Sequence, residues 1–283
     1  MFVKDAIVWS NKALITSRVD SPHNSTNLLL SELLGVDKAY LIAHPEKELS
    51  KSEELKFKSW IIRRTKFEPV WYIAGKIDFM GHRFEVNREV LIPRPETELL
   101  IEKFISDNAK DILPDCRLLE IGTGSGAIII SLAARLKGHY FASDISERSL
   151  RVAQKNAGML ENRTKILFKK GNLFEPWEKE KFDYILVNLP YIPHVQMSRL
   201  SLDILNFEPK IALDGGKDGL EIYEKFLIKA SNHLNNKGKI YGEIGDNQGI
   251  KLIEFANRYL PDSKTEIIKD YGKYDRIFII QKN

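Results

Sequence analysis

A glycine-rich turn is the first feature of the chain whose residue types and spacing point to chemistry. The apolar segment Leu118–Ile121 runs into Gly122-Thr123-Gly124-Ser125-Gly126, and a further apolar run begins at Ala127. Glycine lacks a Cβ, so it can adopt positive φ angles and lets the backbone approach a ligand closely. A strand, a glycine-rich turn and a helix in this order are typical of a site that binds a nucleotide.

Asp144 follows the next predicted strand, Tyr140–Ser143. A carboxylate at that point can accept hydrogen bonds from both hydroxyls of a ribose. The glycine-rich turn and Asp144 together indicate an adenosine-containing ligand at the carboxyl edge of a sheet. Because the spacing also satisfies the pattern G-x-G-x-x-G/A, a nicotinamide dinucleotide and S-adenosylmethionine both stay open here. A tight turn that binds no ligand is the remaining alternative.

The segment Asn188-Leu189-Pro190-Tyr191 comes directly after a third apolar strand, Phe182–Val187. Asparagine has both an acceptor and a donor, proline leaves its own carbonyl free, and tyrosine adds an aromatic face. An amide nitrogen is a poor nucleophile because its lone pair is delocalised. Two acceptors and a ring can hold such an –NH2 group with its lone pair aimed at an activated methyl. We therefore predict that Asn188, Pro190 and Tyr191 are catalytic, the alternative being a loop without chemistry.

Alternating strand and helix patterns position these segments. Strands are predicted at 118–121, 140–143, 165–168, 184–187, 239–243, 265–269 and 276–281, and helices at 127–136, 147–160, 220–234 and 249–259. Such alternation predicts a seven-stranded, mostly parallel Rossmann-like sheet with helices on both faces, an α/β fold. The last two strands have no helix between them, so we expect them to pair antiparallel. A glycine-rich turn on the first strand of this arrangement favours S-adenosylmethionine over the dinucleotide.

The first part of the chain has a different pattern. Residues 1–75 show helical spacing of apolar residues, and Ser50 with Glu53 has the spacing of a capping box. Short alternations around Gly81 then predict a β-hairpin, and the acids after Pro95 favour the start of a helix. We expect a small N-terminal helical domain at 1–75, a linking hairpin at 76–93 and a catalytic domain at 94–283.

Composition excludes several classes of protein. The 283 residues are 43% hydrophobic and carry a net charge of only +4, with basic and acidic residues interleaved, so binding to nucleic acid is not expected. Cys116 is the single cysteine, which excludes an intramolecular disulfide and a multi-cysteine zinc site. The histidines show no metal-ligand spacing, and we expect no metal. No apolar run is long enough to span a membrane and no targeting segment is evident, so a cytoplasmic location is expected.

The chain resembles the release factor glutamine methyltransferases (the HemK/PrmC group) over about residues 65–280. The glycine-rich turn is shared by many methyltransferases, whereas the blocks I-P-R-P-E-T-E and G-G-K-D-G-L are much more specific. The matching segments are Pro69–Gly75, Phe79–Gly81, Leu91–Glu98, Ile121–Ala127, Asp144–Ser146, Asn188–Tyr191, Phe207–Pro209, Ala212–Leu220, Glu243–Gly245 with Gln248, and Lys269-Asp270 ahead of Asp275-Arg276.

This resemblance implies a reaction and a role for each part of the site. The enzyme would methylate the side-chain amide of the Gly-Gly-Gln glutamine in peptide chain release factors, converting S-adenosylmethionine to S-adenosylhomocysteine. Residues Gly122 to Gly126 would surround the methionine part of the donor, Asp144 would hold its ribose and Leu173 would pack on its adenine. Asn188 would touch donor and substrate, and Asn188–Tyr191 would bind the target glutamine. The N-terminal helices would help to recognise the release factor, and we expect a monomer.

Leu189 departs from the family pattern, which usually has two prolines after the asparagine. The sequence N-L-P-Y is familiar from ribosomal RNA adenine dimethylases, so methylation of an RNA adenine amino group is the alternative function. Those enzymes carry their extra domain after the catalytic one, whereas this chain has the reverse order, which favours glutamine. A nicotinamide-dependent oxidoreductase would leave Asn188–Tyr191 unexplained, and a non-catalytic binding protein would not need these residues.

Overall fold

The computed structural model describes residues 1–108, 114–159 and 164–283. Within them the chain forms two compact units, one of Met1–Ile77 with Ser201–Phe207 and one of Asp78–Leu200 with Glu208–Asn283. Leu160, the last residue of one predicted helix, lies outside the described residues. None of the helices in the described ranges combines the length and the apolar character that a membrane crossing requires.

The first unit is helical, as its sequence pattern predicts. Its helices are α1 (Val3–Thr16), α2 (Pro22–Leu34), α3 (Lys38–Ala43), α4 (Lys51–Arg64), α5 (Val70–Ala74) and, much later in the chain, α9 (Leu202–Phe207). The capping box at the start of α4 is present, because Ser50 and Glu53 exchange side-chain to backbone hydrogen bonds. Leu14, Leu30 and Phe57 are fully buried in the core between these helices.

The second unit contains the predicted sheet. Its strands are β3 (Arg117–Ile121), β4 (His139–Asp144), β5 (Ile166–Lys170), β6 (Phe182–Val187), β7 (Leu234–Glu243), β8 (Ser263–Lys269) and β9 (Asp275–Lys282), in the order β5-β4-β3-β6-β7-β9-β8. The strands β3 to β7 run parallel to one another, and β9 pairs antiparallel with both β7 and β8. The prediction of a seven-stranded, mostly parallel α/β sheet is confirmed.

Helices cover this sheet, and a hairpin precedes it. The helices are α6 (Pro95–Asn108), α7 (Ala127–Ala133), α8 (Glu147–Ala157), α10 (Glu221–His233) and α11 (Gly249–Tyr259). The hairpin consists of β1 (Lys76–Phe79) and β2 (His82–Glu85), and both turn residues, Met80 and Gly81, have positive φ. The Met80 N–H donates to Glu98 Oε1 at 2.7 Å, which ties the turn to the start of α6.

The core of the second unit explains where a ligand can bind. Leu119, Ile185 and Ile240 are fully buried on adjacent strands of the sheet, where the apolar runs of the sequence placed them. Because β3, β4, β6 and β7 are parallel, their carboxyl ends lie at one edge, and the loops that follow them meet there. The glycine-rich turn, Asp144 and Asn188 therefore come together, although they are far apart in sequence.

Candidate active site

A cavity lies at this carboxyl edge, entirely within the second unit. Nine of the residues singled out in the sequence line it: Gly122, Thr123, Gly124, Ser125, Asp144, Leu173, Asn188, Leu189 and Pro190. Gly126 and Tyr191, which were also singled out, stand outside the lining. The structure thus brings the glycine-rich turn and the Asn188 segment into the lining of one cavity.

The glycine-rich turn, Gly122–Gly126, has the backbone conformation that its composition predicts. All three glycines have positive φ, at 76°, 53° and 82°. The Gly122 and Thr123 N–H groups both donate to the Ser143 carbonyl, at 2.8 and 3.1 Å, which fixes the turn against the end of β4. Gly126 precedes α7, and a Cβ there would lie 2.6 Å from Ile130 Cδ1. Gly126 therefore shapes the turn from behind the cavity wall.

Asp144 is held in place by the backbone on both sides of its carboxylate. Oδ2 accepts a hydrogen bond from the Gly124 N–H at 2.9 Å, and Oδ1 accepts one from the Ser146 N–H at 2.8 Å. Burial raises the pKa of Asp144, and these backbone hydrogen bonds oppose that effect. Each carboxylate oxygen has a further lone pair that can accept from a ligand. Asp144 is thus oriented in the cavity wall before any ligand arrives.

Glu120 also lines the cavity, and the sequence reasoning did not single it out. It is 2% exposed, and its Oε2 accepts hydrogen bonds from the Thr123 hydroxyl at 2.6 Å and from the Ile129 N–H at 3.2 Å. Burial raises its pKa to about 8, and the charge of Asp144 adds to that shift. An acid inside an apolar strand, directly before the glycines, is the signal that could have identified it.

The backbone of Asn188–Tyr191 is held by polar side chains from two other segments. The Leu189 N–H donates to the Tyr223 hydroxyl at 3.1 Å, and that hydroxyl donates to the Glu243 carbonyl. Gln248 Nε2 donates to the Tyr191 carbonyl at 2.8 Å. A proline at position 189 would lack the N–H that reaches Tyr223. The departure from the family pattern thus adds a hydrogen bond beneath the segment.

Two glycines of the G-G-K-D-G-L block approach this segment closely. A Cβ on Gly215 would lie 2.7 Å from the Pro190 carbonyl oxygen. A Cβ on Gly219, whose φ is 84°, would overlap the Tyr191 carbonyl and lie 2.5 Å from Gln248 Nε2. Any larger residue at either position would displace the backbone that lines the cavity.

A buried carboxylate, Glu243, collects three side-chain donors next to the cavity. Its Oε2 accepts from the Thr97 hydroxyl at 2.6 Å and from Asn188 Nδ2 at 3.0 Å, and its Oε1 accepts from the Tyr191 hydroxyl at 2.8 Å. Glu243 is 1% exposed, and burial raises its pKa while the Thr97 and Tyr191 hydrogen bonds lower it. We call Thr97, Asn188, Tyr191 and Glu243 the Glu243 cluster.

Sequence reasoning singled out two members of the Glu243 cluster, Asn188 and Tyr191, and missed the other two. Thr97 lies in the first turn of α6 and Glu243 at the end of β7. Both belong to blocks that match the family, but nothing in the spacing of the sequence indicates that they touch. The Thr97 and Glu243 side chains meet although 146 positions separate them.

An ion pair connects two further parts of the cavity wall. Arg94 donates to Glu208 Oε1 at 2.5 Å, and the Ile92 N–H donates to Glu208 Oε2 at 3.4 Å. Glu208 is 5% exposed, and its neighbour Pro209 lines the cavity, as does Arg94 itself. The pair therefore ties the I-P-R-P-E-T-E block to the segment that precedes the G-G-K-D-G-L block. Within the described residues, no group of three or more His, Cys, Asp or Glu side chains is placed to hold a metal ion.

Two family models match the chain. The model described as PrmC N-terminal domain matches residues 5–75, and the model described as Methyltransferase domain matches residues 112–247. The first match corresponds to most of the helical unit. The second contains the glycine-rich turn, Asp144 and Asn188.

Comparison with individual proteins extends the match to nearly the whole chain. A release factor glutamine methyltransferase of Bacillus cereus is 34% identical over 98% of this chain and 98% of its own. One of Streptococcus pneumoniae is 37% identical over 83% of each chain. The 16S rRNA N2 G1207 methyltransferase of T. thermophilus, solved in complex with AdoMet and guanosine, shares the fold at 16% identity, with a TM-score of 0.52 over 74% of this chain and 50% of its own. The identities to the first two enzymes, over most of both chains, show that this chain belongs to the release factor glutamine methyltransferase family.

Proposed function

We propose that this methyltransferase transfers a methyl group from S-adenosylmethionine to the side-chain amide nitrogen of the glutamine in the Gly-Gly-Gln motif of peptide chain release factors. The observation that carries the proposal is the Asn188 amide, fixed by Glu243 in the wall of a cavity that the glycine-rich turn also lines. A site of this kind holds a donor and a planar –NH2 group side by side. The names of the relatives supply the identity of the substrate.

The residues of the glycine-rich turn fit the donor. Gly122 and Gly124 line the cavity without Cβ atoms and leave room for the methionine part, and the fixed carboxylate of Asp144 fits the ribose hydroxyls. Leu173 lines the cavity and would contact the adenine. When bound, S-adenosylmethionine supplies a methyl group activated by a sulfonium. The fold shared with an enzyme solved with AdoMet supports this assignment.

The Asn188 segment fits the acceptor. Among the described residues, neither Asn188 Oδ1 nor the Pro190 carbonyl oxygen has a hydrogen-bond donor, and both residues line the cavity. These two oxygens would accept the two N–H groups of the glutamine amide, with the Tyr191 ring beside them. Holding the nitrogen in line with the methyl can supply up to about 7–11 kcal/mol of the barrier. The nitrogen gains the methyl group as the S–CH3 bond breaks, and S-adenosylhomocysteine is the leaving group. One N–H proton is lost, and because neither acceptor oxygen is basic, that proton passes to solvent.

The two units would divide the work between recognition and chemistry. The helical unit matches the PrmC N-terminal domain, and we assign it to recognition of the release factor. The enzyme would act as a monomer, without a metal, in the cytoplasm, where release factors act on ribosomes.

The test is mass spectrometry of a purified release factor after incubation with this protein and S-adenosylmethionine. We expect a gain of one methyl on the Gly-Gly-Gln glutamine, and at least a 100-fold slower reaction with Asn188→Ala, since a transition-state contact is lost. Asn257→Ala, an exposed asparagine on α11, is the matched control and should keep the full rate. A full rate with Asn188→Ala would contradict the role of Asn188. Label that entered ribosomal RNA and no release factor would favour adenine methylation instead.

A further inference from the structure

Glu243 accepts hydrogen bonds from both polar side chains of the segment Asn188–Tyr191. Oε2 accepts from Asn188 Nδ2 at 3.0 Å, and Oε1 accepts from the Tyr191 hydroxyl at 2.8 Å. We infer that Glu243 is a positioning residue, which turns the Asn188 amide so that its oxygen faces the substrate amide and fixes the Tyr191 ring beside it. This inference rests on the proposed function and assigns to Glu243 a role within it.

The orientation of the Asn188 amide decides whether it can bind an –NH2 group. An asparagine amide has two orientations of nearly the same shape, one with the oxygen and one with the nitrogen toward a given neighbour. Glu243 Oε2 already accepts a hydrogen bond from the Thr97 hydroxyl, so the Asn188 nitrogen, which is a donor, faces this acceptor oxygen, and Oδ1 is left for the cavity. In the other orientation two –NH2 groups would face each other, both with only donors. The acceptor oxygen of Glu243 thus selects the productive orientation.

Thr97 completes the selection. Its hydroxyl donates to Glu243 Oε2 at 2.6 Å, so the lone pairs of Thr97 Oγ1 are left for the second hydrogen of the Asn188 amide. Asn188 Nδ2 donates this hydrogen to Thr97 Oγ1 over 3.3 Å. Both hydrogens of the Asn188 amide therefore have acceptors behind the cavity wall. Asn188 has no further partner among the described residues, which leaves its oxygen as the one group of the amide still able to bind.

A carboxylate suits this position and a neutral amide does not. Three donors converge on the two oxygens of Glu243, whereas a glutamine has one acceptor oxygen and would present an –NH2 group to at least one donor. Burying an ionised carboxylate with only 1% exposure is unfavourable in itself. A carboxylate that served packing alone could be replaced by glutamine or leucine. The convergence of donors from α6 and from the residues that follow β6 points to the substrate-binding amide as the reason for the carboxylate.

A set of three variants tests the inference by exchanging the two groups. Glu243→Gln should lower kcat for release factor methylation by about 10- to 100-fold, while the Kd for S-adenosylmethionine stays within about threefold. Asn188→Asp alone places two carboxylates side by side and should be at least as slow as Glu243→Gln. In Asn188→Asp with Glu243→Gln, the glutamine –NH2 can donate to one aspartate oxygen and leave the other for the substrate. We expect this pair to be at least about tenfold faster than Asn188→Asp.

Two further variants separate positioning from general structure. Glu254→Gln, an exposed glutamate on α11, should have the kcat and the melting temperature of the wild type. Thr97→Ser keeps the hydroxyl and should keep most of the activity. A kcat for Glu243→Gln equal to that of the wild type, or a double variant no faster than Asn188→Asp, would overturn the inference. If Glu243→Gln lost both kcat and the ability to bind S-adenosylmethionine, the inference would also be overturned, because such a loss would indicate a collapsed site.

The inference about Glu243 and the proposed function can be tested separately. If the wild type methylates no release factor, the proposed function fails, and the contact is then judged from thermal unfolding of the same variants. Asn188→Asp should melt lower than the wild type, and the double variant should regain at least half of that loss. A double variant with no regain would refute the pairing of Asn188 with Glu243.

Discussion

Two buried carboxylates flank the cavity, and they are supported in opposite ways. Glu120, at the end of β3, accepts hydrogen bonds from residues three and nine positions away along the chain. Glu243, at the end of β7, accepts from residues 52, 55 and 146 positions away. Glu120 lies on the side of the site proposed to bind S-adenosylmethionine, here called the donor side, and it is supported from one continuous stretch of chain. Glu243 lies on the side proposed to bind the glutamine, here called the acceptor side, which forms only once the sheet and α6 have packed together.

This difference changes what each side needs in order to work. The donor side presents mainly backbone, whose shape follows from the positive φ of three glycines, with Asp144 held by backbone N–H groups. The acceptor side presents a side-chain amide whose orientation depends on another side chain, Glu243, and on Thr97. We expect substitutions on the donor side to act on affinity for the donor. Substitutions on the acceptor side should act on turnover.

The largest expected effect is on stability, at Glu120. Its pKa rises by burial to about 8 in the fold from an ordinary value of 4.5, so the unfolded chain ionises first as pH rises. The contribution of Glu120 to the free energy of unfolding is therefore highest below pH 4.5. Between pH 4.5 and about 8 it falls by about 1.4 kcal/mol per pH unit. Glu120→Gln lacks this titration and should gain about 3–5 kcal/mol over the wild type between pH 4.5 and 8. Urea unfolding of both proteins across that range measures the difference.

The same measurement on Glu243→Gln sharpens the comparison. Burial also raises the pKa of Glu243, and the charge of Glu96 adds to that shift as the charge of Asp144 does at Glu120. The charge of Arg276, which lowers the pKa of Glu243, has no counterpart among the causes that act on Glu120. As pH rises, Glu243→Gln should therefore gain less free energy of unfolding over the wild type than Glu120→Gln does. Equal slopes for the two variants would contradict the distinction between the two carboxylates.

Gly219→Ala should have the next largest effect, on turnover. The new Cβ would overlap the Tyr191 carbonyl at a positive φ of 84°, so the Pro190–Tyr191 backbone must move. A displacement of about 1 Å in a reacting group can cost about 100-fold, or about 3 kcal/mol of the barrier. We expect kcat for release factor methylation to fall by that factor, with the Kd for S-adenosylmethionine nearly unchanged, as measured by calorimetry.

Gly124→Ala is the matched substitution on the donor side. Gly124 also has a positive φ, 53°, but a Cβ there meets no atom within 4 Å, so the fold tolerates it apart from a strain of about 1 kcal/mol. Because Gly124 lines the cavity, the methyl group should obstruct the donor and raise its Kd. If Gly124→Ala lowered kcat at saturating donor as much as Gly219→Ala, the division of the site into two sides would be wrong.

The same division explains how much the sequence could predict. The glycine-rich turn, Asp144 and Asn188–Tyr191 follow strands, and the alternation of strands and helices was enough to place them at one edge. Glu243 and Thr97 carry no such signal, because a contact across 146 positions depends on which helix packs over which strand. Resemblance to a family identified their blocks but not their contact. Local hydrogen bonds can be predicted from spacing, whereas tertiary ones need the packed structure.

Asp144→Asn should have a moderate effect, on donor affinity. The asparagine –NH2 would face either the Gly124 or the Ser146 N–H, both of which are donors, so one hydrogen bond to the turn is lost. We expect the Kd for S-adenosylmethionine to rise about tenfold, which corresponds to about 1.4 kcal/mol, with a smaller change in kcat at saturating donor. Calorimetric titration provides the Kd, and Asp262→Asn, an exposed aspartate far along the chain, is the control. An unchanged Kd would exclude Asp144 from donor binding.

The smallest expected effect is that of Thr97→Val, which removes one hydroxyl and keeps the shape of the side chain. Glu243 keeps Asn188 and Tyr191 as donors, so the Asn188 amide loses only its weaker restraint. We expect kcat to fall about three- to tenfold, with about 1 kcal/mol lost from the free energy of unfolding. If Thr97 acts through Glu243, then adding Thr97→Val to Glu243→Gln should cost less than it costs alone. Additive losses in kcat would show that the two residues act separately, and would separate Thr97 from the Glu243 cluster.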